Sequence, residues 1–133
     1  MVEIGYALSS EEHPATDLVR YARRAEETGF TFALISDHFH PWVDHQGHSP
    51  FVWSVLGGIA QVTEGLVVGT GVTCPTVRIH PAIIAHAAAT VATMMPGRFF
   101  LGLGTASTST STFWETAGPP CSCGRRCWRK RCR

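Results

Sequence analysis

The densest chemistry in the chain lies at Ser36-Asp37-His38-Phe39-His40-Pro41-Trp42, with Asp44, His45 and His48 close behind. Four of the seven histidines fall between positions 38 and 48, beside two carboxylates and an indole. Imidazole titrates near neutrality, so this cluster suits proton transfer to or from a substrate hydroxyl. A polar loop whose histidines only cap a rim is the reading without chemistry. His38-x-His40 could also turn two imidazoles toward one metal ion, as in a metal-dependent hydrolase, although zinc of that kind needs further ligands from elsewhere in the chain. The other candidates contain glycine: Gly69-Thr70-Gly71-Val72-Thr73-Cys74-Pro75-Thr76 and Gly102-Leu103-Gly104-Thr105. Glycine lets backbone approach a flat ligand closely. Neither segment is a dinucleotide fingerprint, because no helix with a third glycine follows.

Each candidate follows an apolar run that reads as a strand. Strands are expected at 3–8, 31–36, 66–72 and 98–103, and helices at 14–28, 51–63 and 81–95. Pro14 suits a first helical position. Leu18, Tyr21, Ala22 and Ala25 form the apolar stripe of the first helix, opposite Arg20, Arg23, Arg24, Glu26 and Glu27. Gly29 fits the left-handed stop after it. In the third helix Ile83, Ile84, Ala87, Ala88, Val91 and Met95 form the inward side. The strands lack polar alternation, which predicts a parallel sheet covered on both faces and an α/β fold. A doubly wound sheet and a TIM barrel both fit. At roughly 30 residues per unit, a barrel of ~250 residues would be about half present. In either fold, functional groups gather at the carboxyl ends of the strands.

Composition narrows the classes. At 133 residues, 44% hydrophobic and 16% charged, the chain predicts one globular domain. The longest apolar stretch, 81–96, is interrupted by His86 and is shorter than the ~20 residues of a membrane span. No basic segment precedes an apolar one at the start, so a cytoplasmic protein is expected. The balance of charge breaks sharply at residue 105. Residues 1–105 carry five Arg and nine carboxylates, whereas 106–133 carry six basic residues, only Glu115, and four of the five cysteines.

Taken in order, the motifs resemble the luciferase-like family of flavin and deazaflavin oxidoreductases. They are Gly5-Tyr6, Ser36-Asp37-His38-Phe39 with Pro41-Trp42, Gly47-His48-Ser49-Pro50-Phe51 and Gly69-Thr70-Gly71-Val72 with Pro75-Thr76. Arg78-x-His80-Pro81-Ala82-x-Ile84-Ala85 and Arg98-x-Phe100-Leu101-Gly102-x-Gly104-Thr105 complete the series. The branch they look most like is that of the coenzyme F420-dependent glucose-6-phosphate dehydrogenases. The resemblance implies a TIM (β/α)8 barrel, truncated here to about its first four strands with an irregular tail. It also implies a deazaflavin cofactor, with FMN as the alternative of a luciferase-like monooxygenase. By the same resemblance His38 acts on the substrate hydroxyl and Glu11 is a buried acid near the site, the two forming the catalytic set. Asp37, Gly71, Val72, Thr76 and Thr105 fall in the cofactor set, Gly71-Val72 as a bulge that is often a non-prolyl cis peptide. Trp42 walls the substrate pocket. No metal, nucleic acid or membrane is implied. The expected partner is a small-molecule substrate, and a homodimer is expected for the full-length parent.

The resemblance stops at Thr105, where the family continues Gly-Glu and this chain has Ala106-Ser107. Residues 106–133 therefore read as a separate, non-homologous Ser/Thr-rich then Cys/Arg-rich tail. As a native segment it would be a linker with a basic end able to meet nucleic acid, on an otherwise non-catalytic fragment. Its cysteines, spaced C-x-C-x3-C-x4-C, do not match a common zinc ribbon. A reading-frame shift is the stronger expectation. Codons that encode 106–120 can be regrouped one base over to read Gly and then EHLNEHILGDRWPP, which restores the missing acid. With that shift the chain as it stands is expected to be inactive.

Overall fold

The computed structural model describes residues 2–75 and 78–105. Seven elements alternate along the chain: β1 (Tyr6–Leu8), α1 (Ala15–Glu27), β2 (Phe32–Ile35), α2 (Val52–Val62), β3 (Val67–Thr70), α3 (Pro81–Met94) and β4 (Phe99–Phe100). The strands form one sheet in the order β1-β2-β3-β4, every neighbouring pair parallel. Strand order equal to chain order, with a helix in each crossover, is the arrangement expected from the sequence.

In register, Leu8 lies beside Ile35 and Ile35 beside Thr70. With Ala33 and Val68 they make the buried face of the sheet, packed under Leu18 and Ala22 of α1, Val52, Leu56 and Ile59 of α2, and Ile84 and Val91 of α3. Trp53 meets the Phe99 ring edge-on at 6.3 Å. The other face carries Ala7, Leu34 and Phe100, the last two each 40% exposed. The apolar strands thus predicted cover on both faces, whereas among the described residues the helix-side face is buried and the other, Gly69 apart, is largely exposed.

Boundaries moved for local reasons. Pro14 is the N-cap rather than the first helical residue: its φ of −66° suits a helix, but its ψ of 157° is extended. Gly29, at φ +95°, ends α1 as expected. Ile83 is 58% exposed while Ile84 is buried. Adjacent helical residues point about 100° apart, and the buried stripe runs through Ile84, Val91 and Met95. Tyr21 is only partly buried against the core. Strand pairing begins later than predicted at the amino end, where Val2 and Ile4 are exposed.

Glu26 does more than solvate the outer side of α1. Its carboxylate accepts the backbone N–H groups of Glu64, Gly65 and Leu66, at 3.0, 2.5 and 2.7 Å to Oε1. Burial pushes that carboxyl up, and the three N–H donors, with Arg98 nearby, outweigh it and hold it below its ordinary value. The turn that feeds β3 is thereby tied to α1, which sets where β3 starts.

Candidate functional site

Parallel strands deliver all their carboxyl ends to one side of the sheet, and the loops there bind one another. Ser10 donates its backbone N–H to Ser36 Oγ at 2.9 Å and its hydroxyl to Ser36 O at 2.7 Å. These bonds lock the β1–α1 loop to the first residue beyond β2. Ser36 Oγ in turn donates to Glu11 Oε2 at 2.8 Å, and Ser9 Oγ to the same oxygen at 3.0 Å. The other Glu11 oxygen meets His38 Nδ1. His48 N–H bonds Glu11 O at 3.1 Å and Ser49 Oγ donates to His38 O at 2.5 Å, which closes the long β2–α2 loop back over the pair. The Trp42 ring stands edge-on to the His38 ring at 5.0 Å.

Glu11 is 4% exposed, yet it is held as a carboxylate. Burial pushes its carboxyl upward, but hydrogen bonds from His38, Ser36 and its own backbone, with the His38 charge, outweigh it and bring it from 4.5 to about 2. The consequence for stability has a definite sign. A depressed acid stabilises the fold above its unfolded value near 4.5, and that contribution is lost as the pH falls through about 2. The amount is on the order of 3 kcal/mol. Urea unfolding of wild type and Glu11→Gln should therefore diverge across this window, wild type losing stability on acidification that the variant does not lose. Parallel curves for the two proteins between pH 5 and pH 2 would refute a native carboxylate at this position.

The second node lies one strand along. Asp37 is enclosed, its side chain 0% exposed. Oδ2 accepts the Thr73 hydroxyl at 2.8 Å and Oδ1 meets the Arg78 guanidinium. Between β3 and Thr73 runs Gly71–Val72, a cis peptide as the resemblance implied. Thr73 extends the sheet by one parallel bridge to Leu103, with Thr73 N–H on Gly102 O at 2.8 Å. The glycines after β4 serve this crossing. A Cβ on Gly102 would lie 2.1 Å from Thr70 O, and one on Gly104 would lie 2.4 Å from Val72 Cγ2. Their small size is thus required by the protein's own neighbours.

Of the residues named from sequence, Glu11, His38 and Trp42 come together, and Asp37, Gly71 and Val72 gather on the adjacent loops. Thr105 is exposed just past the Thr73–Leu103 bridge, and Thr76 lies outside the described residues, as does the tail from 106. Of the loop histidines, His38 Nδ1 meets Glu11 and His40 Nδ1 faces Pro41 O at 2.7 Å. Among the described residues no three of His, Cys, Asp and Glu group as metal ligands. Sequence reading missed Ser9, Ser36, Thr73 and Arg78 as partners. Position was the available signal, since each sits in a loop at a strand's carboxyl end.

A family model described as luciferase-like monooxygenase matches residues 1–117, beyond the boundary expected at 105. The chain is 47% identical over 102 residues to an F420-dependent hydroxymycolic acid dehydrogenase of Mycobacterium tuberculosis, covering 77% of this chain and 28% of that protein. It is 44% identical over 104 residues to an F420-dependent glucose-6-phosphate dehydrogenase of Kribbella flavida, covering 78% of this chain and 31% of that protein. Among solved structures, an F420-dependent secondary alcohol dehydrogenase in complex with an F420–acetone adduct superposes with a TM-score of 0.80 at 35% identity, over 89% of this chain and 36% of that one. The chain thus spans about a third of the length of the relatives it matches. The sheet order and this superposition show its fold to be about four strands of a TIM barrel.

Proposed function

Since the chain belongs to the luciferase-like monooxygenase family, we propose that it is part of a coenzyme F420-dependent oxidoreductase acting on an alcohol or sugar phosphate. The observation that carries this reading is the pairing of buried Glu11 with the partly exposed His38, with Trp42 beside it at the strand ends. When bound, the deazaflavin would accept or return a hydride at the substrate carbon. The residues here fit such a ring. Gly71 and Val72 are exposed just beyond β3, Val72 40% so, and offer an uncharged surface that we take as the ledge for the ring. With Asp37, Thr76 and Thr105 they make up the proposed cofactor side. Trp42, 56% exposed, is the proposed substrate wall.

Glu11 orients His38 through Nδ1, leaving Nε2 to take the proton of a substrate hydroxyl. The ionised carboxylate then stabilises the imidazolium that forms. F420 is preferred to FMN because the relatives above 40% identity are named F420-dependent. No helix among the described residues is long and apolar enough to cross a membrane, and we place the protein in the cytoplasm. A homodimer is proposed for the full-length parent, on the outer faces of α2 and α3, helices without Asp, Glu, Lys or Arg. We read 106–133 as frameshifted and the chain as inactive in this form.

The test uses the full-length product of the restored frame, supplied with oxidised F420 or FMN and with secondary alcohols or sugar phosphates. Substrate-dependent bleaching of the deazaflavin is the expected result. Turnover with FMN and dioxygen alone would move the protein to the monooxygenases.

A further inference from the structure

The Asp37 carboxylate is fully enclosed, and both of its oxygens are occupied by side chains of the β3–α3 loop. The carboxylate is thus tied to the protein's own side chains across two loops. Burying an unpaired charge is strongly unfavourable, and a bond from each oxygen to Arg78 and Thr73 offsets that cost. Position along the chain then matters. Asp37 immediately precedes His38, and Thr73 immediately follows Val72. The Thr73–Asp37 hydrogen bond therefore joins the residue next to the proposed base to the residue next to the proposed cofactor ledge, and the Arg78 ion pair holds the same carboxylate.

We propose that Asp37, Thr73 and Arg78 form a latch of positioning residues that fixes the β2–α2 loop against the β3–α3 loop, and so sets the separation of His38 from Val72. The catalytic value of the latch rests on the oxidoreductase reading above, while the latch itself rests only on the enclosed carboxylate and its two partners. Several features agree. Thr73 is 1% exposed and Arg78 13% by side chain, so water competes little for either bond. The planar guanidinium holds a carboxylate in a fixed direction, which a lysine would not do as well. Gly71 N–H on Ile35 O at 2.8 Å already ties the start of the ledge to β2, and the latch adds a second tie two residues on. Cys74, beside Thr73, reports the same neighbourhood: burial pushes its thiol up, Asp37 pushes it further, and Arg78 draws it down.

Hydrogen–deuterium exchange of the 133-residue chain tests the latch without any cofactor, so its result is independent of whether F420 binds. Arg78→Gln should speed exchange in the other loop, at Ser36 N–H, and Asp37→Asn should speed it at Gly71 and Thr73 N–H. Each acceleration should be on the order of ten-fold. The double variant should exchange no faster than either single one, and Arg78→Lys should fall between Arg78→Gln and wild type. Acceleration confined to the loop that carries the substitution would overturn the proposal. So would a uniform rise that includes α1 and α2, or effects that multiply in the double variant. If either charge variant is unfolded by circular dichroism, Thr73→Val removes one bond at nearly constant shape. It must then accelerate Ser36 N–H, and an unchanged Ser36 N–H would overturn the latch equally.

Discussion

Replacing His38 with alanine in the full-length product of the restored frame is expected to lower kcat by about 10²- to 10⁴-fold, the usual worth of a positioned general base. KM for the alcohol should move far less, because His38 is asked to act on a proton rather than to anchor the substrate. Glu11→Gln should cost less than His38→Ala. The amide can still accept a hydrogen bond from Nδ1 but cannot offset an imidazolium charge, and the native partner is held ionised down to about pH 2. Steady-state kinetics on the three proteins decides the matter. An H38A protein that keeps its kcat within a few-fold would remove the base from His38. Equal losses in the two variants would instead mark the pair as one inseparable unit.

The second large effect concerns cofactor affinity and the gene. The 133-residue chain is expected to bind F420 at least about a hundred-fold more weakly than the product with one base restored after codon 105. Two observations motivate this. The chain spans about a third of the relatives it matches, and Ala106-Ser107 stand where the resemblance calls for Gly-Glu. Sequencing the locus from an independent isolate, followed by fluorescence titration of both products, measures it. Stop codons soon after the junction in the shifted frame would make the tail native. Tight saturable binding by the 133-residue chain would show that its first four strands suffice.

Local sequence determined the elements and their order. The three helices and four strands could be read from the period of apolar residues and the turn residues between them, and the parallel order followed from chain connectivity. His38, Trp42, Glu11 and the Gly71–Val72 ledge were legible by type, place and resemblance, since strand ends in a parallel sheet share one side. Pairing was not legible. That Glu11 would meet His38 across the first crossover, or that Asp37 would turn from the rim toward Arg78, depends on strand register and loop closure. The same holds for Glu26, which reads as one more charge on a solvated helix face until the next turn folds beneath it. Periodicity is a property of neighbours along the chain, so sequence alone fixes it. The direction of a buried carboxylate is set by whichever donors the folded backbone brings within about 3 Å, and for these acids only the tertiary structure chose them.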